Sequence, residues 1–190
     1  MRHSILAVEL CLRLEPGHPL REQLHRLVIE HPARSTPSAK WRMYTQAAGL
    51  LRQNLALAQT GCWDFFEDDA RALKDFDMWS NGMLTEEGAR PGPSGMPDPF
   101  RGEPRFMTFT LALLIAFGSA SERALSRACA IPQADLWKRA SFDRVLDSVR
   151  VLSFASVKSD VAYVIPGDPS WGLTAQDLQH EKFHYLRVIE

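Results

Sequence analysis

The stretch "RFMTFTLALLIAFG", Arg105 to Gly118, decides how the rest of the chain is read. Met107, Phe109, Leu111, Leu113, Ile115 and Phe117 fall on one side of a period-two pattern. Thr108, Thr110, Ala112, Leu114 and Ala116 fall on the other. The β-branched and aromatic content favours a buried strand, with a core helix as the alternative for so short an apolar run. Gly118 stops the element. Ser119 to Glu122 then spells a capping box, which opens a helix running to about Ala128.

Working toward the N-terminus, the opening of the chain also alternates. Leu6, Val8, Leu10, Leu12 and Leu14 share a face, with Glu9 and Arg13 on the other, as in a half-buried strand. "PGHP" ends it. Leu20, Leu24, Leu27 and Val28 form a helical stripe behind Pro19. A second helix, capped by Ser38 and stopped by Gly61, carries Trp41, Tyr44, Ala48, Leu51, Leu55 and Ala58. Phe65, Ala72, Phe76 and Trp79 mark a third, although "CWDFF" also suits a short strand. Residues 85–105 hold five Pro and four Gly, a density at which no regular element survives.

Toward the C-terminus, Pro132 opens a short helix and Ser141 caps another. "LSFASVKSDVAYVIP" reads as two strands around a turn at Lys158-Ser159-Asp160. These readings predict an α+β fold, mainly helical with a small mixed sheet. Winged-helix-like helices and a β-hairpin are expected in the C-terminal half. Residues 1–84 form an N-terminal strand and helices, 85–105 a Pro/Gly-rich loop or linker, and 106–190 a C-terminal α+β region. The two flanking parts are expected to pack as one domain.

At 190 residues, the chain can bury about 70% of its unfolded surface and needs no disulfide or metal staple. The net charge of −1 gives no global argument for nucleic acid or membrane. Locally the balance differs. Residues 1–60 carry eight Lys/Arg against four Asp/Glu, and residues 61–90 carry three against eight. Such segregation suits self-association or a charged partner. No apolar stretch is long enough to span a bilayer, which takes about 18 residues or more. The three cysteines, Cys11, Cys62 and Cys129, are odd in number and far apart. That pattern suits a reducing cytoplasm better than a disulfide framework.

Three constellations bear on function. The first is His180-Glu181-Lys182-Phe183-His184, which spells H-E-x-x-H, the signature of zinc hydrolases. Such a site needs both histidines on one helical face, the glutamate as general base and a third ligand. Only "YLRVIE" follows the motif, and its aromatic and β-branched residues suit a strand. A strand would hold the two histidines about 13 Å apart. The second is the winged-helix order of residues 121–166, whose recognition helix "SFDRVLDSVRVL" lacks the basic face that DNA needs. The third is an acidic-aromatic segment in which Asp64, Glu67, Asp68, Asp69 and Asp75 offer an interaction surface. If helical, it brings Asp64, Asp68 and Asp75 to one face, with Glu67 pairing Arg71.

There is no phosphate loop, dinucleotide fingerprint or nucleophile elbow in the sequence, so no cofactor is implied. The expectation is a non-enzymatic interaction or assembly component in the cytoplasm, with a protein partner or a second copy of itself. A winged-helix regulator and a zinc hydrolase are the alternatives.

Overall fold

The computed structural model describes residues 2–30, 36–81 and 102–190. The expected Pro/Gly loop therefore lies outside the described residues, apart from 102–105.

Arg105–Ala116 is a strand, β3, and it lies beside the opening strand β1, His3–Leu14. The full set is α1 (Pro19–Ile29), α2 (Pro37–Gln53), β2 (Ala58–Phe66), α3 (Asp69–Asn81), α4 (Ala120–Cys129), α5 (Arg139–Asp147), β4 (Val157–Ile165) and β5 (Arg187–Val188). The five strands form one sheet in the order β4-β3-β1-β2-β5, and every neighbouring pair is antiparallel.

This sheet corrects the expected architecture. The α+β class stands, but the fold is not mainly helical with a small mixed sheet. A five-stranded antiparallel sheet organises it, joining strands from both sides of the Pro/Gly segment. The winged-helix reading also fails, because no hairpin follows α5. Phe154–Ser156 is a 3₁₀ turn, and the expected turn at Lys158-Ser159-Asp160 lies inside the single strand β4. The cause is tertiary. The Asp160 carboxylate is paired with the Lys40 ammonium and accepts a hydrogen bond from the Tyr44 hydroxyl at 3.1 Å. With those partners, the Asp160 carboxylate is satisfied inside the sheet.

Both faces of the sheet are covered. The even-numbered leucines of β1 face α1, α2, α4 and α5, where Leu20, Leu24, Tyr44, Leu51, Leu125, Phe142 and Leu146 complete the larger core. The odd positions, Ile5 and Ala7, face Ala72 and Trp79 of α3 together with Phe183. β1 is thus a central strand rather than a half-buried one. A period-two pattern cannot separate the two cases when the second face carries small or polar residues.

Local chemistry sets the element ends. Thr36, not Ser38, caps α2 by accepting from Ala39 N at 3.3 Å, with Pro37 in the first turn. Gly61 is not a helix stop. It lies in β2, where a Cβ would come within 2.9 Å of the Glu9 carbonyl oxygen and of Phe142 Cε1. α2 ends earlier, at Gln53. The Ser119 hydroxyl caps α4 by accepting from Glu122 N at 3.1 Å, but the Glu122 carboxylate reaches back to Gly118 N at 3.3 Å rather than to the Ser119 N–H that a capping box uses.

Candidate functional site

Glu9 sits in the middle of β1, on the same side of the sheet as Ile5 and Ala7. Its cross-strand neighbours are Cys62 on β2 and Thr110 on β3, and Thr110 in turn faces Tyr163 on β4. Cys11, the next residue on that side, pairs with Thr60 and Thr108. A polar row therefore crosses the sheet where a core is usually apolar.

The row is closed over by the irregular chain of residues 173–186, in which Leu173, Leu178, Phe183 and Leu186 pack against the second core. Glu9 is 1% exposed. Tyr185 reaches down from this cover and donates its hydroxyl to Glu9 Oε2 at 2.5 Å. The Tyr185 ring meets Trp79 edge-on, 5.8 Å between centroids, while 41% of the residue remains exposed.

The hydrogen bonding at this site is incomplete. Glu9 Oε1, Thr108 Oγ1 and Thr110 Oγ1 are buried without a partner among the described residues. The two threonine hydroxyls lie close enough to favour the charged carboxylate, but not in hydrogen-bond geometry. Burial dominates and pushes the Glu9 carboxyl above its ordinary range, against the opposing pull of the Tyr185, Thr110 and Thr108 hydroxyls and the Lys182 charge. The same burial pushes the Cys11 and Cys62 thiols up to about 12. It also raises the phenols of Tyr163 and Tyr185. The site is a carboxyl held above its ordinary range by burial, among neutral hydroxyls and thiols.

The acidic residues singled out by sequence do not share a helical face. Asp64 belongs to β2, and α3 begins only at Asp69. Burial raises the Asp64 carboxyl, aided by the charge of Asp75 and opposed by Arg71. Asp68 accepts from Arg71 N at 2.8 Å and so caps the start of α3. Asp69 accepts from both the backbone N–H and the Nδ1 of His3, at 2.7 and 2.8 Å, which ties α3 to β1. Asp75 pairs with Arg71 at 3.3 Å, and Arg71 stacks on Phe66 with 3.3 Å to the ring centroid. Glu67 is exposed.

His180 and His184 are not on one helix. The chain makes a 3₁₀ turn at Asp177–Gln179, becomes extended at His180, and turns again at Glu181–Phe183. His180 Nδ1 accepts from Lys182 N at 3.4 Å, while His184 Nε2 lies 3.0 Å from the Gln179 carbonyl. Among the described residues, no group of three or more His, Cys, Asp or Glu side chains is placed to hold a metal ion. The alternation of β1 concealed Glu9. Thr108 and Thr110, hydroxyls inside an otherwise apolar strand, were the available signal that this side of the sheet carries a polar row.

Together these features define the chain as an α+β protein with an antiparallel sheet clad on both faces and an acid enclosed in one of them. Comparison with protein-family models, curated proteins and solved structures gives no match. Among the described residues, no helix is long and apolar enough to cross a membrane.

Proposed function

We propose that the protein is an interaction component of the cytoplasm that takes an extended, basic segment of a protein partner onto the outer edge of β2. One observation carries this reading. β2 runs nine residues, yet β5 pairs with it only at Thr60 and Gly61. Residues 62–66 have no strand on their outer side among the described residues, and alternate backbone groups there point outward. An open edge of this kind accepts an added strand through main-chain hydrogen bonds.

Charge selects the occupant. Glu67 and Asp68 are exposed just past the end of β2, and the nearby Arg71 is engaged with Phe66 and Asp75. A lysine- or arginine-bearing strand fits. The free cysteines suit a reducing compartment. The segregation of charge along the sequence does not itself argue for self-association. Lys40 pairs with Asp160 inside the fold, and Arg52 with Asp143 and Asp147.

The experiment is hydrogen exchange with a synthetic peptide of alternating lysine and valine. Binding should protect residues 62–66, weaken with salt, and fall in a Glu67→Gln/Asp68→Asn variant. Protection elsewhere, or none, overturns the reading. Protection of 62–66 that appears without peptide as protein concentration rises would identify a second copy as the occupant instead.

A further inference from the structure

We propose that residues 174–186 form a roof that closes over the protonated Glu9 carboxyl, and that burying the ionised carboxylate beneath it is costly enough for loss of the Glu9 proton to favour opening. Two features of the geometry carry this. First, the acid is shut away from water. It is 1% exposed, with one oxygen bonded to Tyr185 and the other without a partner among the described residues. Ionising such a group without opening the site incurs a large desolvation penalty. Second, the roof has little regular structure of its own. It contains two three-residue 3₁₀ turns and no longer helix or strand. Its tie to the acid is the Tyr185 hydroxyl, from a residue already partly in solvent.

The thiols and phenols around Glu9 stay neutral across the pH range in which a carboxyl titrates. β1 contributes Cys11 and β2 contributes Cys62, both with thiols pushed up to about 12, so they stay neutral. β4 contributes Tyr163 and the roof contributes Tyr185, both with phenols raised. Lys182, also on the roof, favours the ionised acid. Asp64, two residues beyond Cys62 on β2, is also held above the ordinary carboxylate range by burial and by the charge of Asp75, against the pull of Arg71, and the Glu9→Gln variant separates its titration from that of Glu9. His180 and His184 are on the outer part of the roof, both exposed. β5 follows the roof directly, so opening also frees Thr60 and Gly61 and lengthens the bare edge of β2. That last consequence rests on the docking reading above, whereas the opening itself does not.

The test is amide exchange of residues 174–188 across pH 5 to 9, corrected for intrinsic base catalysis. The opening constant of the wild type should rise by up to about tenfold per pH unit above the ordinary carboxyl range. It should level off where Glu9 ionises in the closed form. Glu9→Gln should abolish the rise. Tyr185→Phe removes a hydrogen bond that favours the charged acid, so its plateau should move to higher pH. It thereby keeps the test decisive even if the Gln variant folds poorly. A His180→Asn/His184→Asn variant should keep the wild-type slope. The proposal is overturned if the slope survives in Glu9→Gln, vanishes in the histidine variant, or is shared equally by the amides of β1 and β3. The last result would report global unfolding.

Discussion

The hydroxyl of Tyr185 donates a 2.5 Å hydrogen bond to Glu9 Oε2, joining the centre of the sheet to the chain that covers it. The two residues stand 176 positions apart. Replacing Glu9 by Gln should therefore change the pH dependence of folding as well as local opening. Burial raises the Glu9 carboxyl in the folded protein, which then binds its proton more tightly than the unfolded chain does. The stabilisation is complete below the ordinary value of 4.5 and is lost as pH rises toward the raised one. Its slope is about 1.4 kcal/mol per pH unit. Urea denaturation should show the Gln variant gaining on the wild type between pH 4 and 8. Parallel curves would contradict this.

Gly61→Ala should destabilise the protein by about 1–3 kcal/mol, the usual cost of overpacking. The new methyl would meet the Glu9 carbonyl oxygen and the Phe142 ring, both at 2.9 Å. The first contact is backbone in the central strand and has little room to retreat. Thermal unfolding measures the loss, and a neutral variant would mean that β2 shifts freely against β1.

Asp68→Ala should cost about 1 kcal/mol through loss of the helix cap, because its carboxylate accepts from Arg71 N. Asp69→Asn tests a different contact. His3 holds the Asp69 carboxyl below its ordinary value, so its contribution is present above the unfolded value and fades as pH falls through the lowered one. The Asn variant should be less stable than the wild type at neutral pH and converge with it as pH falls, and equal stability at neutral pH would show that the His3 contact contributes nothing. The expected result is a shallower acid limb.

Lys40→Met should cost about 3 kcal/mol, as breaking one side of a buried pair does. Asp160 is only 4% exposed and Lys40 23%, and together they fasten α2 to β4. A Lys40→Met/Asp160→Leu double variant should recover much of the loss, since no buried charge is then left alone. Chemical denaturation of the two variants decides it. A double variant less stable than the single one would show that Tyr44, which also bonds Asp160, depends on the carboxylate.

Zinc should not copurify in a stoichiometric amount. The two histidines of the H-E-x-x-H spelling flank separate turns, and the chain is extended at His180 itself. Elemental analysis finding about one zinc per chain, lost in His180→Ala, would reverse this reading.

How much of this was legible in the sequence depends on where each residue finds its partner. The strands at Leu6–Leu14 and Met107–Ile115 declared themselves through alternation. The Ser119 cap did so through a contact three residues away. Glu9 did not, because one charged residue in an alternating strand looks the same facing water or a buried hydroxyl ring. Asp160 resembles a turn residue for a related reason. Its partners Lys40 and Tyr44 lie 120 and 116 positions away. Gly61 resembled a helix stop, yet the need for glycine comes from an approaching neighbour strand. The H-E-x-x-H spelling shows the converse, since a motif has its chemistry only if the backbone under it is helical.

The strand order carries a kinetic consequence. β1 is first along the chain and central in the sheet, but the residues it pairs with on β3 lie 91 to 113 positions later, from Leu14–Arg105 to His3–Ala116. No two neighbouring strands are joined by a tight hairpin. Nearly every ladder must therefore close a long loop before it gains a contact, which places the protein among slow folders on a scale of milliseconds to seconds. On the ribosome β1 emerges with an apolar face and a buried-to-be acid, and then waits for β3. During that interval Glu9 is in water and charged, and its charge keeps an otherwise sticky strand from pairing with the wrong edge.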